Sequence, residues 1–287
     1  MVFGDSWGSL GPGWHEIQDM FDRHNISAVV RSAARGGTQA CQWAGQPTSM
    51  VEAAAKLFPE RKLKGPDFVW YTLGGNDFAN HDYQGCSRTA KTIADEKNCT
   101  DTLFTLVTGC TRTLLEHYWK AYSHSKIMQC GYDIPCESGG CIHTDDSRVP
   151  FCKSNVTCLD EVTLHWQKIY VDALDAYYNK PGGAPGGGSY AGLNILGTVQ
   201  AAGGVKGASV GHRKSPSQSA TCESWACSDR WLAITAVIGV GSPCELETMC
   251  VHPTHGKKGA TAVGEAFWDL YYSKQLPVGG RTMVGGR

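Results

Sequence analysis

The first residues that could do chemistry form the segment Phe3-Gly4-Asp5-Ser6-Trp7-Gly8-Ser9. Small residues follow a short apolar stretch, which places Ser6 at the exposed end of a predicted strand and at the start of a helix. There the serine hydroxyl can serve as a nucleophile, and the backbone N–H of Ser6 can face an oxyanion. The same segment also fits a glycine-rich turn whose serine only caps a helix.

Two further motifs could donate hydrogen bonds to that oxyanion. In Ala33-Ala34-Arg35-Gly36-Gly37-Thr38, the absence of a side chain at Gly36 permits close approach of its backbone N–H. In Gly74-Gly75-Asn76-Asp77, Asn76 lies at the carboxyl end of a predicted strand, where its side-chain amide would be another donor. Each motif has a purely structural alternative, a strand-to-helix turn for the first and an Asx-turn for the second.

A general base is expected in Val251-His252-Pro253-Thr254-His255-Gly256, which precedes the last predicted helix. The base has to come within hydrogen-bond reach of the serine, and a histidine at this place can reach the carboxyl edge of a parallel sheet. His252 and His255 are both candidates. They could instead bind a metal ion, as in a metallohydrolase, although no third ligand is obvious nearby, or they could be loop residues without a role.

Taken in order, these four motifs resemble the SGNH (GDSL-type) hydrolase family. The resemblance runs from residue 3 to about residue 272, and residues 130–158 and 181–245 match no part of the family pattern. It implies hydrolysis of a carboxylic ester through an acyl-enzyme, with no cofactor and no metal. The implied substrates are small-molecule or polysaccharide esters that carry acetyl or other short acyl groups, or lipid acyl esters.

The resemblance also implies a role for each matching residue. Ser6 attacks the ester carbonyl, and the oxyanion is held by the backbone N–H groups of Ser6 and Gly36 and by the side chain of Asn76. A histidine takes the serine proton and returns it to the leaving alcohol. His252 is favoured over His255 because the tripeptide that begins with His252 matches the family.

The chain departs from the family at the acid that orients the histidine. The family places this acid three residues before the histidine, and that position here is Met249, whose thioether cannot orient an imidazole. Three explanations stay open: Glu247 or Glu245 substitutes for the acid, a backbone carbonyl leaves a Ser–His dyad, or His255 is the base. A catalytically silent carbohydrate- or lipid-binding protein on the same fold is the alternative from another functional class.

Elements that could position these residues follow from the apolar pattern. Near-continuous apolar runs predict buried strands of a parallel sheet at 26–30, 67–73, 126–130 and 193–197. Helical spacing of apolar residues predicts helices at 50–58, 101–123, 160–178 and 260–272. Strands alternating with helices predict an α/β layered domain over 1–276, with a mostly parallel sheet flanked by helices. The resemblance to the SGNH family implies that this domain is a three-layer sandwich of the flavodoxin-like type.

Three segments interrupt this pattern. Residues 130–158 are rich in cysteine and predict a disulfide-rich insertion. Residues 181–192 are so rich in glycine that we expect a flexible loop without regular structure. The tail over 277–287 is expected to be disordered.

Cysteine content predicts an extracellular protein. Ten of the 13 cysteines lie between Cys86 and Cys227, and no CxxC pair is present, which favours structural disulfides over zinc. Three glycosylation sequons, at Asn25, Asn98 and Asn155, point to the same secretory route. We therefore expect a secreted glycoprotein, with a leader and the first residues of its first strand preceding Met1.

Charge argues against a nucleic-acid partner, and hydropathy argues against a transmembrane segment. The 26 basic and 27 acidic side chains leave a net charge of -1, so no basic field is available to gather nucleic acid. No run of about 18 apolar residues is present, so we predict no transmembrane segment. The expected protein is a monomer that acts on an ester substrate.

Overall fold

The computed structural model describes residues 1–9, 13–131, 149–152, 156–195 and 258–276. Its strands are β1 (Val2–Phe3), β2 (Phe68–Tyr71), β3 (Lys126–Cys130) and β4 (Ser189–Leu193). They form one sheet in the order β1-β2-β3-β4, and every neighbouring pair is parallel.

Helices cover both faces of this sheet. They are α1 (Ser6–Ser9), α2 (Gly13–Arg23), α3 (Ala40–Ala44), α4 (Ser49–Leu57), α5 (His81–Thr89), α6 (Ile93–Ala121), α7 (Val156–Trp166), α8 (Ala173–Tyr178), α9 (Lys258–Phe267) and α10 (Ser273–Gln275). Two π-helical segments, Gln167–Asp172 and Trp268–Tyr272, join α7 to α8 and α9 to α10. Short 3-10 turns lie at Pro59–Arg61, Asn76–Ala79 and Pro185–Gly187.

Side chains of the strands alternate between two cores. Val69 and Tyr71 of β2 lie in the core beneath α3–α8, whereas Trp70 lies in the opposite core with residues of α2 and α9. All three side chains are buried. Because strand side chains point to alternate faces, a strand buried on both faces is a near-continuous apolar run. The predicted three-layer α/β fold with a parallel sheet is therefore confirmed.

An extended segment pairs with the free side of β1 and sets the topology. Val2 forms a parallel bridge with Ser32, its N–H donates to the Arg31 carbonyl at 2.9 Å, and its carbonyl accepts from Ala33 N at 2.9 Å. When this bridged segment is counted with the four strands, it is second in chain order, and the order across the sheet is 2-1-3-4-5. The switch point of this order lies between β1 and β2. Ligands of open α/β sheets bind at the carboxyl ends of the strands beside such a switch point.

The strand predicted at 26–30 is wrong, because only Ser32, beyond its end, forms a bridge. The α2 side chain of Gln18 takes the place of a neighbouring strand. Its amide nitrogen donates to the Ala28 carbonyl at 3.1 Å, and its oxygen accepts from Val30 N at 3.1 Å. These bonds satisfy the backbone without a ladder, and Val29 stays 63% exposed.

The glycine-rich segment also differs from prediction. Residues 181–192 do not form an irregular loop throughout, since β4 begins at Ser189 and ends at Leu193. The strand predicted at 193–197 shares only Leu193 with β4 and is wrong at 194 and 195, while 196 and 197 lie outside the described residues. Five residues of β4 pair with β3, and the Tyr190 hydroxyl donates to buried Gln129 at 2.6 Å. Tertiary pairing and burial here outweigh the low strand propensity of glycine.

The four predicted helices are confirmed with shifted bounds. The helix predicted at 101–123 runs over Ile93–Ala121, because Thr92 caps it and Asp95 completes a capping box. The helix predicted at 160–178 is α7, its π segment and α8. Helices α2, α3 and α5 were not predicted.

Three disulfides are present within the described residues: Cys41–Cys110, Cys86–Cys99 and Cys152–Cys158. The last lies inside the predicted insertion at 130–158, of which 132–148 and 153–155 are outside the described residues, as are the tail at 277–287 and the Asn155 sequon. Asn25 and Asn98 are exposed. No helix in the described part of the chain is long and apolar enough to cross a membrane.

Candidate active site

The turn that follows β1 is pressed against the chain that follows β2. Gly4 has a φ of +150°, and a Cβ there would lie 2.1 Å from Thr72 Oγ1 and 2.8 Å from Thr72 N. The Asp5 N–H donates to the same threonine hydroxyl at 3.0 Å, and the Asp5 side chain is fully buried. Ser6 is the next residue and begins α1, so the structure places its backbone at the carboxyl end of β1 beside β2.

We expect Gly4→Ala to lower the free energy of unfolding by about 3 kcal/mol or more, because its methyl group would overlap the backbone of Thr72. Urea unfolding followed by circular dichroism measures this. Gly109→Ala is the matched control. Gly109 is exposed inside α6 with no atom near its Cβ position, so alanine there should raise stability by roughly 0.5–1 kcal/mol. Equal stability of Gly4→Ala and the wild type would contradict the packed turn.

The turn that contains Gly36 is hydrogen-bonded to the serine turn. Arg35 N donates to the Gly4 carbonyl at 2.8 Å, and the Thr38 hydroxyl lies 3.3 Å from the same oxygen and 2.8 Å from the Arg35 carbonyl. Thr38 N closes the turn onto Arg35 O at 3.4 Å, and Gly37 has the φ of +76° that the third position of a type II turn requires. Gly36 is thus held beside the residues that precede Ser6.

Asn76 joins the same assembly from the end of β2. It begins a 3-10 turn, its side-chain nitrogen donates to Thr38 O at 3.3 Å, and its carbonyl accepts from the Gln39 side chain at 3.2 Å. Three of the predicted site motifs, which are far apart in the sequence, are therefore linked by hydrogen bonds at one edge of the sheet. The bond to Thr38 orients the amide of Asn76.

Asp77 follows Asn76 in the chain, and its side chain is buried, with 3% of the residue exposed. Both of its carboxylate oxygens lie 3.2 Å from the backbone nitrogen of Ala40, the first residue of α3. Burial raises the pKa of Asp77 to about 7, and the hydrogen bonds from Ala40 and from its own backbone N–H oppose that rise. Above this pKa the carboxylate is ionised and is a strong acceptor for the Ala40 N–H.

Buried hydroxyl groups support the end of β2 from below. The Tyr170 hydroxyl donates to the Leu73 carbonyl at 3.3 Å and lies 2.7 Å from the Thr111 hydroxyl, which is 3.1 Å from the Tyr71 hydroxyl. Burial raises the pKa of Tyr170 above its ordinary value, so the hydroxyl stays protonated. Leu73 precedes the glycine pair that leads to Asn76. The hydrogen bonds of these hydroxyl groups therefore hold the backbone that positions Asn76.

The other predicted site residues, His252, His255 and Glu247, lie outside the described residues, as do Glu245 and Met249. Their positions relative to Ser6 remain predictions. Within the described part of the chain, no group of three or more His, Cys, Asp and Glu side chains could hold a metal ion.

Sequence reasoning missed the residues that connect the motifs. Thr38 and Gln39 follow the glycine pair in the sequence, and Asp77 follows Asn76, so the motifs contained a signal for them. Thr72 receives the Asp5 N–H without any distinctive sequence context. It belongs to the predicted strand at 67–73, where a threonine is an ordinary strand residue.

Comparison with known proteins adds little to this geometry. No protein-family model matches the chain, and no curated protein matches it. Among solved structures, an extracellular lipase from Streptomyces rimosus is similar with a TM-score of 0.45 at 13% identity, over 92% of this chain and 97% of the lipase. LAE5, an alpha/beta hydrolase enzyme from the metagenome of Lake Arreo, Spain, has a TM-score of 0.35 at 12% identity, over 93% and 92% of the two chains.

A third similar structure is phospholipase A1 from Streptomyces albidoflavus NA297. Its TM-score is 0.28 at 14% identity, over 62% of this chain and 81% of the phospholipase. All three TM-scores are below 0.5, and we draw no conclusion about this chain from them.

Proposed function

We propose that this chain is a serine esterase that hydrolyses carboxylic esters through an acyl-enzyme on Ser6. One observation carries the proposal: the turn before Ser6, the turn around Gly36 and the side chain of Asn76 are hydrogen-bonded together at the switch point of a parallel sheet. If Ser6 only capped a helix and Asn76 only formed an Asx-turn, these three distant segments would not need to converge at this place. The convergence matches what a nucleophile and its oxyanion donors need.

In the proposed reaction, the Ser6 hydroxyl oxygen attacks the ester carbonyl while His252 accepts the serine proton. The carbonyl oxygen becomes an oxyanion that accepts hydrogen bonds from the backbone N–H groups of Ser6 and Gly36 and from the Asn76 amide. His252 then returns the proton to the departing alcohol, which leaves an acyl-serine. Water, deprotonated by the same histidine, releases the carboxylic acid and restores Ser6.

The direct test is hydrolysis of a short p-nitrophenyl ester at about pH 8, followed by absorbance at about 400 nm. Turnover that depends on Ser6 supports the esterase. An intact protein that turns over neither short nor long acyl esters would instead be a catalytically silent binding protein on this fold. Comparing acetyl with longer acyl esters then decides between carbohydrate-type short-acyl and lipid-type substrates.

We further propose that the protein is secreted and consists of a single domain over 1–276. Three disulfides within the described residues support an oxidising compartment, and the exposed sequon asparagines Asn25 and Asn98 are accessible for glycosylation. The proposed enzyme is a monomer that needs neither cofactor nor metal.

Asn76→Ala should lower kcat by about 10²–10³-fold and change KM far less, because an oxyanion donor acts on charge that develops only in the transition state. Steady-state kinetics with the short ester measure both constants. Asn80→Ala is the control. The Asn80 side chain caps α5 by accepting from Asp82 N at 2.9 Å, so its loss should cost roughly 1 kcal/mol of stability and leave kcat unchanged. An unchanged kcat in Asn76→Ala would exclude Asn76 from the oxyanion hole.

A further inference from the structure

Asp77 contacts the segment that carries Gly36, one of the proposed oxyanion donors, at the start of α3. Its carboxylate receives the N–H of Ala40, four residues after Gly36, and the residue before it is Asn76. One aspartate therefore ties the start of α3 to the residue that presents the amide. Resting on the proposed function, we infer that Asp77 is a positioning residue that holds the Gly36 turn at a fixed distance from Asn76.

The contacts around the turn make this connection short and stiff. The Gln39 side chain donates to the Asn76 carbonyl at 3.2 Å and Asn76 donates to Thr38 O at 3.3 Å, so two further hydrogen bonds join the two segments at the residue before Asp77. Beyond Ala40, the disulfide Cys41–Cys110 anchors α3 to α6. With α3 anchored, loss of the Asp77–Ala40 bond leaves the Gly36 side of the connection as the part that can move.

Charge and burial explain why an aspartate suits this place. The side chain is 3% exposed, so an unpaired Ala40 N–H would have no water to bond to. Within the described residues, the titratable groups that face Asp77 are the hydroxyls of Tyr71 on β2 and Tyr170 on the π segment. Burial raises the pKa of both tyrosines, so both stay neutral and add no negative charge that would oppose ionisation of the Asp77 carboxyl.

The decisive variants are Asp77→Ala and Asp77→Asn. Asp77→Ala removes the acceptor and should lower kcat at least about tenfold with KM within about twofold, because Gly36 then loses its alignment with the oxyanion. Asp77→Asn keeps one oxygen for the Ala40 N–H and should stay within about threefold of the wild-type kcat at pH 8. Hydrogen–deuterium exchange of residues 35–40 should rise in Asp77→Ala and remain near wild type in Asp77→Asn.

The pH profile supplies a readout that a purely structural role would not move. In the wild type, kcat/KM should fall as pH drops below about 7, because the histidine base takes up a proton, and protonation of Asp77 should add a further decrease of at most about threefold, the factor expected for the neutral Asp77→Asn side chain. Asp77→Asn should show a shallower acid limb that reports the histidine alone. Since the folded-state pKa of Asp77 lies above its ordinary value of 3.8, the folded chain binds more protons between these values. Stability should therefore fall as pH rises through this window in the wild type, and this slope should be reduced in Asp77→Asn.

Asp95→Asn is the matched control, since Asp95 also accepts backbone N–H groups at a helix start, from Lys91 and Thr92, but at an exposed place on α6. It should leave kcat and exchange at 35–40 unchanged.

The inference is overturned if folded Asp77→Ala keeps the wild-type kcat or exchange at 35–40, or if both Asp77 variants share the wild-type pH profile. If Asp77→Ala does not fold, the Asp77→Asn profile decides. If the wild type hydrolyses no ester, the proposed function fails, and the exchange data decide whether Asp77 holds the turn.

Discussion

Ser6→Ala is expected to lower kcat for a short p-nitrophenyl ester by about 10⁴-fold or more, with the folded state retained. The reason is that the acyl-enzyme cannot form without the hydroxyl, and loss of a catalytic serine is not compensated by the groups that activate it. Residual hydrolysis above the rate in water should persist, because the oxyanion donors at Gly36 and Asn76 remain. Steady-state kinetics and covalent labelling by a fluorophosphonate, followed by intact mass, measure the two consequences.

Ser9→Ala is the control on the same helix. The Ser9 hydroxyl is buried, and within the described part of the chain it has no hydrogen-bond partner, so its removal should leave both kcat and labelling at wild-type levels. Fluorophosphonate attached to Ser6 in the wild type and absent from Ser6→Ala would support the acyl-enzyme. Equal turnover by Ser6→Ala and wild type would remove Ser6 from the mechanism.

His252→Ala should reduce kcat by a similar factor of about 10⁴ or more, because the serine hydroxyl then has no base to take its proton. The comparison that matters is with His255→Ala, which replaces the same side chain three residues away. If His252 is the base, His255→Ala should retain most activity, and only the His252 variant should lose the fast reaction with fluorophosphonate. The opposite result would assign the base to His255.

The same pair of variants tests the metallohydrolase alternative. Two histidines that share a metal should both be needed, and activity should then fall with EDTA and survive Ser6→Ala. A third variant, Glu247→Gln, tests the acid. If Glu247 orients His252, kcat should fall by more than tenfold with the pH optimum displaced, whereas a Ser–His dyad predicts kinetics close to those of the wild type.

The local sequence pattern was sufficient to predict an element where its own residues favour the conformation that it adopts in the fold. Helix α6 could be predicted because its apolar side chains repeat at helical spacing. Its end differs from the prediction by two residues and its start by eight, since the Thr92 cap lies upstream of the apolar stripe. Strands β2 and β3 could be predicted because burial on both faces favours a near-continuous apolar run. In these segments the local preference and the tertiary environment agree.

Local pattern failed where a distant partner decides the backbone conformation. Residues 26–30 have the composition of a strand, but Gln18 on α2 satisfies their backbone instead. Residues 189–192 have the composition of a loop, but they pair with β3 as part of β4, and Tyr190 forms a buried hydrogen bond with Gln129. Neither Gln18 nor β3 can be read from the residues of the segment that it acts on.

The chemical groups of the candidate site can be identified from residue types and their spacing: a serine at a strand end, a glycine turn, an asparagine after a strand, and two histidines before the last predicted helix. Convergence of the first three groups is visible only in the folded chain, because their contact depends on the order of parallel strands around β1. The tertiary structure also revealed Thr38, Thr72 and Asp77 as the links between them. The physical reason is that residue type sets what a group can donate or accept, whereas burial and a partner from a distant segment set where that capacity is used.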